Sequence, residues 1–152
     1  MKHPFLLLLF VIPLSPVIDF GSDRDSKARE KLVDIAMQYL NTSYKSGGDT
    51  PRGFDCSGFT KYIYRRALNK KLDHGASLQA QIGKKVKIHK AKKGDLLFFK
   101  KNGRINHVGI VTKANKDELW VIHSTTSRGV IAEDVKKSSY WNSKIAFVRS
   151  HM

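Results

Sequence analysis

The hydrophobic period changes once along the chain, near Val86, and that change limits the fold more than any other feature. Before it, apolar residues recur three and four apart. Leu32, Ile35, Ala36, Tyr39 and Leu40 share one helical face, and Phe59, Ile63 and Ala67 share another. The spacing predicts a helix over 23–41, capped by Ser22 or Asp23, and one over 56–68, capped by Asp55. A short helix is predicted over 77–82. Residues 42–53, with Gly47-Gly48, Asp49 and Pro51, read as a loop. After Val86, short apolar runs alternate with turn dipeptides such as Asn102-Gly103 and Arg128-Gly129. Strands are predicted over 96–100, 107–112, 119–124, 130–135 and 145–149, with a helical turn over 138–141. Helices first and an antiparallel meander after make an α+β fold, helices gathered on one side of a sheet.

The amino terminus stands outside this pattern. Met1-Lys2-His3 is a basic start, and an apolar run from Phe5 to Ile12 follows, broken by Pro13 and Pro16. That is the layout of a secretory signal peptide, and the run is short for a membrane span. Residues 1–22 are therefore expected to be a signal peptide or an N-terminal anchor, and 23–152 a single domain. The chain has 152 residues, with 28 Lys and Arg against 13 Asp and Glu, a net charge of +15. Only Lys2 and Asp19 are charged within 1–22, so all the excess belongs to the domain. Such a charge suits an anionic partner: nucleic acid, a membrane surface or a cell-wall polymer. Pairs such as Lys84-Lys85 and Lys136-Lys137 fall at predicted strand ends and turns. They lack the interleaved exposed aromatics of a nucleic-acid surface, which argues against that partner.

Cys56 is the single cysteine, so intramolecular disulfides and CxxC metal ribbons are excluded. It stands at a predicted helix start, where the helix dipole and unpaired N–H groups stabilise thiolate. A small buried hydrophobe is the alternative reading. His107 and His123 fall on strands joined by a hairpin, which can bring the two imidazoles together. One could accept the thiol proton while the other orients it. Zinc held by all three is the remaining option, but the short-range ligand spacing of a zinc site is missing.

With these residues in place, the sequence resembles the NlpC/P60 family of cell-wall cysteine peptidases. The matching text is Tyr44 with Gly47-Gly48, then Gly53-Phe54-Asp55-Cys56-Ser57-Gly58-Phe59, then Lys93-Gly94-Asp95-Leu96-Leu97-Phe98-Phe99. It continues through His107-Val108-Gly109-Ile110-Val111 and Val121-Ile122-His123-Ser124 to Gly129-Val130. The resemblance implies a papain-like α+β fold of N-terminal helices packed on an antiparallel sheet. It implies Cys56 as nucleophile, His107 as general base, His123 as the residue orienting the base, and Tyr44 as an oxyanion donor. Asp55, Ser57, Ser124 and His74 are the implied substrate-binding positions. The implied reaction is hydrolysis of the γ-D-glutamyl–diaminopimelate (or lysine) bond of peptidoglycan stem peptides by an exported monomer without a cofactor. Two departures stand out. Ser46 replaces an aromatic before the Gly-Gly pair, and Leu72-Asp73-His74-Gly75-Ala76 replaces the family's usual segment after the nucleophile helix. The second lies where the substrate groove is shaped, and so bears on specificity. Amidase or acyltransferase chemistry on the same fold, or a non-catalytic cationic wall-binding module, are the alternatives.

Overall fold

Helix α1 (Phe20–Met37) opens the part of the chain that the computed structural model describes, residues 20–152. Of the expected leader at 1–22, residues 1–19 lie outside the described residues, and Phe20, Gly21 and Ser22 form the first turn of α1. α1 begins three residues ahead of the predicted helix start and ends four before its predicted end. The chain then turns, with Asn41 in a left-handed conformation (φ 66°). Leu32 and Ala36 are fully buried. The other side of the helix carries the exposed i,i+4 pair Asp23–Lys27 at 2.7 Å.

The predicted loop holds more structure than its glycines suggest. Strands β1 (Asp49–Thr50) and β2 (Gly53–Phe54) form a small hairpin that feeds directly into α2 (Cys56–Leu68). Asp55 caps α2 as expected, its Oδ1 accepting from Gly58 N–H at 2.7 Å. Asn69 ends the helix in a left-handed conformation (φ 52°). The short helix α3 covers Ala76–Gln79.

The sheet has six strands: β3 (Lys84–Val86), β4 (Leu96–Lys101), β5 (Arg104–Ala114), β6 (Leu119–Thr125), β7 (Gly129–Asp134) and β8 (Ile145–Ser150). β4 to β7 form the predicted meander, with Asn102-Gly103 turning between Lys101 and Arg104. β8 departs from it. The strand order is β3-β8-β4-β5-β6-β7, so the last strand returns to pair with β4 and not with β7. Residues 135–144 make that return across the sheet, burying Val135 and Trp141 on the way. The predicted helical turn at 138–141 appears as a 3₁₀ turn at Asn142–Lys144.

Leu96, Leu97, Phe98 and Phe99 are all fully buried, because the sheet is covered on both faces. Leu96, Phe98, Val108, Ile110 and Ile122 pack against α1 and α2 through Leu32, Phe59 and Ile63. Leu97, Phe99, Val111, Val121 and Val148 form a second cluster with Trp141. The result is an α+β, papain-like architecture with the start of α2 aimed at the middle of the sheet.

Candidate active site

The pairing between β5 and β6 runs from Ala114–Leu119 to Ile110–Ile122. Beyond Ile110, β5 continues along β4 to His107 and further, while β6 continues along β7 to Thr125. The chain entering α2 occupies the space between them. Ser124 Oγ donates to the Phe54 carbonyl at 2.8 Å, and the Val108 amide lies close enough to Cys56 to favour its thiolate. This local parting of two strands places the helix start, and with it Cys56, beside His107.

No side chain fits where the helix start meets the Gly-Gly turn. A Cβ on Gly58 would sit 2.0 Å from the Gly48 carbonyl oxygen. Asp55 ties the same region together with both carboxylate oxygens. Oδ1 accepts from Gly58 N–H and from Ser57 Oγ (3.2 Å). Oδ2 accepts from Gly47 N–H (3.1 Å) and lies 2.8 Å from His74 Nε2.

A cleft of about 390 Å³ opens above Cys56, and Tyr44, His107, Ser124, Arg128 and Trp141 line it. His107 Nε2 lies 2.9 Å from His123 Nδ1. His123 is fully buried, and its Nε2 lies 3.0 Å from Glu133 Oε1. The same oxygen accepts from Arg128 Nη2 at 2.7 Å. Trp141 stacks on His107, ring centres 4.5 Å apart at 23°. Gly109 makes room for His123, because a Cβ there would stand 3.0 Å from the histidine's own Cβ.

Burial dominates the electrostatics. It pushes the Cys56 thiol up to about 11, with the Asp55 carboxylate adding to the rise. Hydrogen bonds from the Val108, Ser57 and Cys56 amides pull the other way and lose. Burial also pushes His107 well below the usual histidine range, helped by His123. His123 is lowered by burial as well, against the opposing pull of Glu133. Both shifts favour the neutral forms, thiol at Cys56 and imidazole at His107. The helix dipole at Cys56 is present, as expected, but desolvation outweighs it. Tyr44 is raised first by burial and further by the nearby Asp55 carboxylate, so its hydroxyl stays protonated.

The sequence-derived residues thus separate into groups. Tyr44, Cys56, His107 and Ser124 meet at the cleft, with His123 directly behind His107. Ser124 has its hydroxyl committed to Phe54. Asp55, Ser57 and His74 form a cluster at the capped end of α2 that adjoins the cleft without lining it, where Ser57 is buried and His74 exposed. Glu133, Arg128 and Trp141 were missed, and each reaches the site from a strand or turn whose local pattern carries no catalytic signal. Among the described residues there is no cluster of His, Cys, Asp and Glu suited to a metal ion.

A sequence model described as the NlpC/P60 family matches residues 41–150. The chain is 36% identical over 138 residues to a gamma-DL-glutamyl hydrolase of Bacillus subtilis, covering 90% of this chain and 33% of that protein. It is 29% identical over 121 residues to the murein DD-endopeptidase MepS/murein LD-carboxypeptidase of Escherichia coli, covering 80% of this chain and 62% of that one. The chain thus spans between a third and two thirds of the length of these relatives. The crystal structure of the NlpC/p60 domain of the peptidoglycan hydrolase SagA superimposes with a TM-score of 0.68 and 31% identity, covering 80% of this chain and 97% of that domain.

Proposed function

The chain belongs to the NlpC/P60 family, and on that premise we propose that it is a cysteine endopeptidase of peptidoglycan stem peptides. The observation that carries the reading is Cys56 at the start of α2, sharing one cleft with His107, whose far nitrogen rests 2.9 Å from His123. Nucleophile, base and orienting residue stand in the order such chemistry uses. One relative is named a gamma-DL-glutamyl hydrolase, which favours the γ-D-glutamyl–diaminopimelate (or lysine) bond. The other, named a murein DD-endopeptidase/LD-carboxypeptidase, supports peptidoglycan as the substrate without favouring that bond. The cleft-lining residues include the cations Arg128 and Lys144 and no carboxylate, which suits a substrate rich in carboxylates.

In the proposed mechanism His107 takes the Cys56 proton as the sulfur attacks the scissile carbonyl carbon. The developing oxyanion accepts from the Tyr44 hydroxyl and the Cys56 backbone N–H. Each such donor is worth about 10²–10³ in rate. The C–N bond breaks, and the amine leaves with the proton held by His107. Water, deprotonated by His107, then attacks the thioester, releasing the carboxylate and restoring the thiol. The mechanism rests on the neutral thiol–imidazole pair, and the protonated Tyr44 hydroxyl fits its assigned role. Asp55, Ser57 and His74 support the reading by holding the nucleophile's helix start, and Ser124 by anchoring the strand before it. Export through residues 1–22, and retention near an anionic envelope by the +15 charge, belong to the same proposal.

Digestion of purified sacculi followed by mass spectrometry tests it. Wild-type protein should release fragments with a new free amine on the diamino acid, and Cys56→Ala protein should release none. Cleavage by Cys56→Ala at the wild-type rate would overturn the assignment.

A further inference from the structure

Glu133 stands on β7, ten residues beyond His123, and no sequence motif singles it out. Its Oε1 is the shared end of two hydrogen bonds, from His123 Nε2 at 3.0 Å and from Arg128 Nη2 at 2.7 Å. Its carboxyl is held below the usual glutamate range, first by the His123 hydrogen bond and further by the charge of Arg128. An ionised carboxylate only accepts. His123 Nε2 therefore carries the hydrogen, and in a neutral ring Nδ1 is then bare. That bare nitrogen faces His107 Nε2 at 2.9 Å, so His107 also carries its hydrogen on Nε2. The unprotonated nitrogen of His107 is then Nδ1, the one left for Cys56. Arg128 secures the arrangement, because a guanidinium only donates and so demands an acceptor at the position of Oε1.

We propose that Glu133 is a positioning residue. Through His123 it selects the Nε2–H tautomer of His107, and Arg128 at the cleft holds the selecting oxygen in place. The kinetic consequence rests on the cysteine-hydrolase reading above; the tautomer itself does not.

The full chain labelled with ¹⁵N-histidine tests both halves, because imidazole ¹⁵N couplings read the tautomer without substrate. Wild-type protein should show Nε2–H on both His107 and His123 at neutral pH. In Glu133→Leu the acceptor is gone, and a population of His107 with hydrogen on Nδ1 should appear. Its kcat on muropeptides should fall about 10–100-fold, the scale of losing the carboxylate that orients a metal-bound imidazole, with KM changed less than about twofold. Glu133→Gln should keep the wild-type tautomers and most of kcat, because Arg128 turns the amide oxygen toward His123. A wild-type His123 with hydrogen on Nδ1 overturns the proposal. So does Glu133→Leu with wild-type tautomers and wild-type kcat. If Glu133→Leu fails to fold, the wild-type and Glu133→Gln spectra decide alone. If tautomers follow Glu133 but wild-type protein cleaves no muropeptide, the assignment of Glu133 holds and the peptidase reading falls.

Discussion

Cys56 combines two opposing influences within a few ångströms. The helix start and three backbone amides favour thiolate, while burial and the Asp55 carboxylate disfavour it more strongly. The resting thiol is therefore neutral, and the proposed proton transfer to His107 accompanies attack. The expected outcome is a Cys56 alkylation rate with iodoacetamide that keeps rising past about pH 10, where an ordinary thiol of pKa about 8.5 has levelled off. A rate that plateaus below neutral pH would mean a preformed thiolate–imidazolium pair. The neighbours that decide this balance include Val108, whose amide reaches Cys56 only because β5 and β6 part at Ile110. Sequence spacing names Cys56 and both histidines, since their residue types announce chemistry. It passes over Glu133 and Trp141, whose types are common and whose roles come from pairing and stacking across strands.

At the scale of elements, a buried charged contact joins α1 to the turn before β4, with the exposed pair Glu30–Lys93 beside it. Arg29 donates to Asp95 Oδ1 at 2.8 Å, to the Lys93 carbonyl at 2.9 Å and to Ser150 Oγ at 3.2 Å. Asp95 is almost fully buried, and its second oxygen accepts from the Lys92 amide at 2.9 Å. This gives the Gly94-Asp95-Leu96 block a structural reason: the carboxylate closes the turn into β4 and clamps α1 to it. Asp95→Ala leaves the largely buried Arg29 with Asp25, 2.8 Å from its Nε, as its remaining carboxylate partner, and leaves the Lys92 amide without its acceptor. The expected cost is about 1.5–3 kcal/mol, the scale of hydrogen bonds to a charged group, measurable by urea unfolding, and a loss under about 1 kcal/mol would show the contact to be a surface pair. The helices and the four-strand meander were legible, because their periods are local. The placement of β8 beside β4 was not. A strand's pattern says which face is buried but not which edge it joins, and here Val135 and Trp141 carry the chain across the second face to the other side. The β1–β2 hairpin also escaped, since two-residue strands leave no periodic trace.

For the whole molecule, the buried histidines set the response to acid. His107, His123 and His151 all have pKa values lowered from 6.5, chiefly by burial. In the unfolded chain they return to about 6.5. As pH falls below that value the unfolded state binds protons that the native state does not, so stability declines toward the lowered native values. A pH of 5 to 6.5 lies above the unfolded carboxylate range of about 3.9–4.3, so this window chiefly reports the histidines. The melting temperature should fall between pH 7 and pH 5, and calorimetry showing a flat profile would mean that these rings take up protons while folded.

The amino-acid sequence by itself determined the α+β class and the family, and it named Cys56, His107 and His123 as the candidate site. Those rest on hydrophobic period, capping residues and short motifs, all of which act over a few residues along the chain. Tertiary structure alone decided that β8 crosses to β4, that burial outweighs the helix dipole at Cys56, and that Glu133 and Arg128 stand behind His123. Each of these depends on groups distant along the chain meeting in a water-poor space, where contact geometry and desolvation outweigh any local preference.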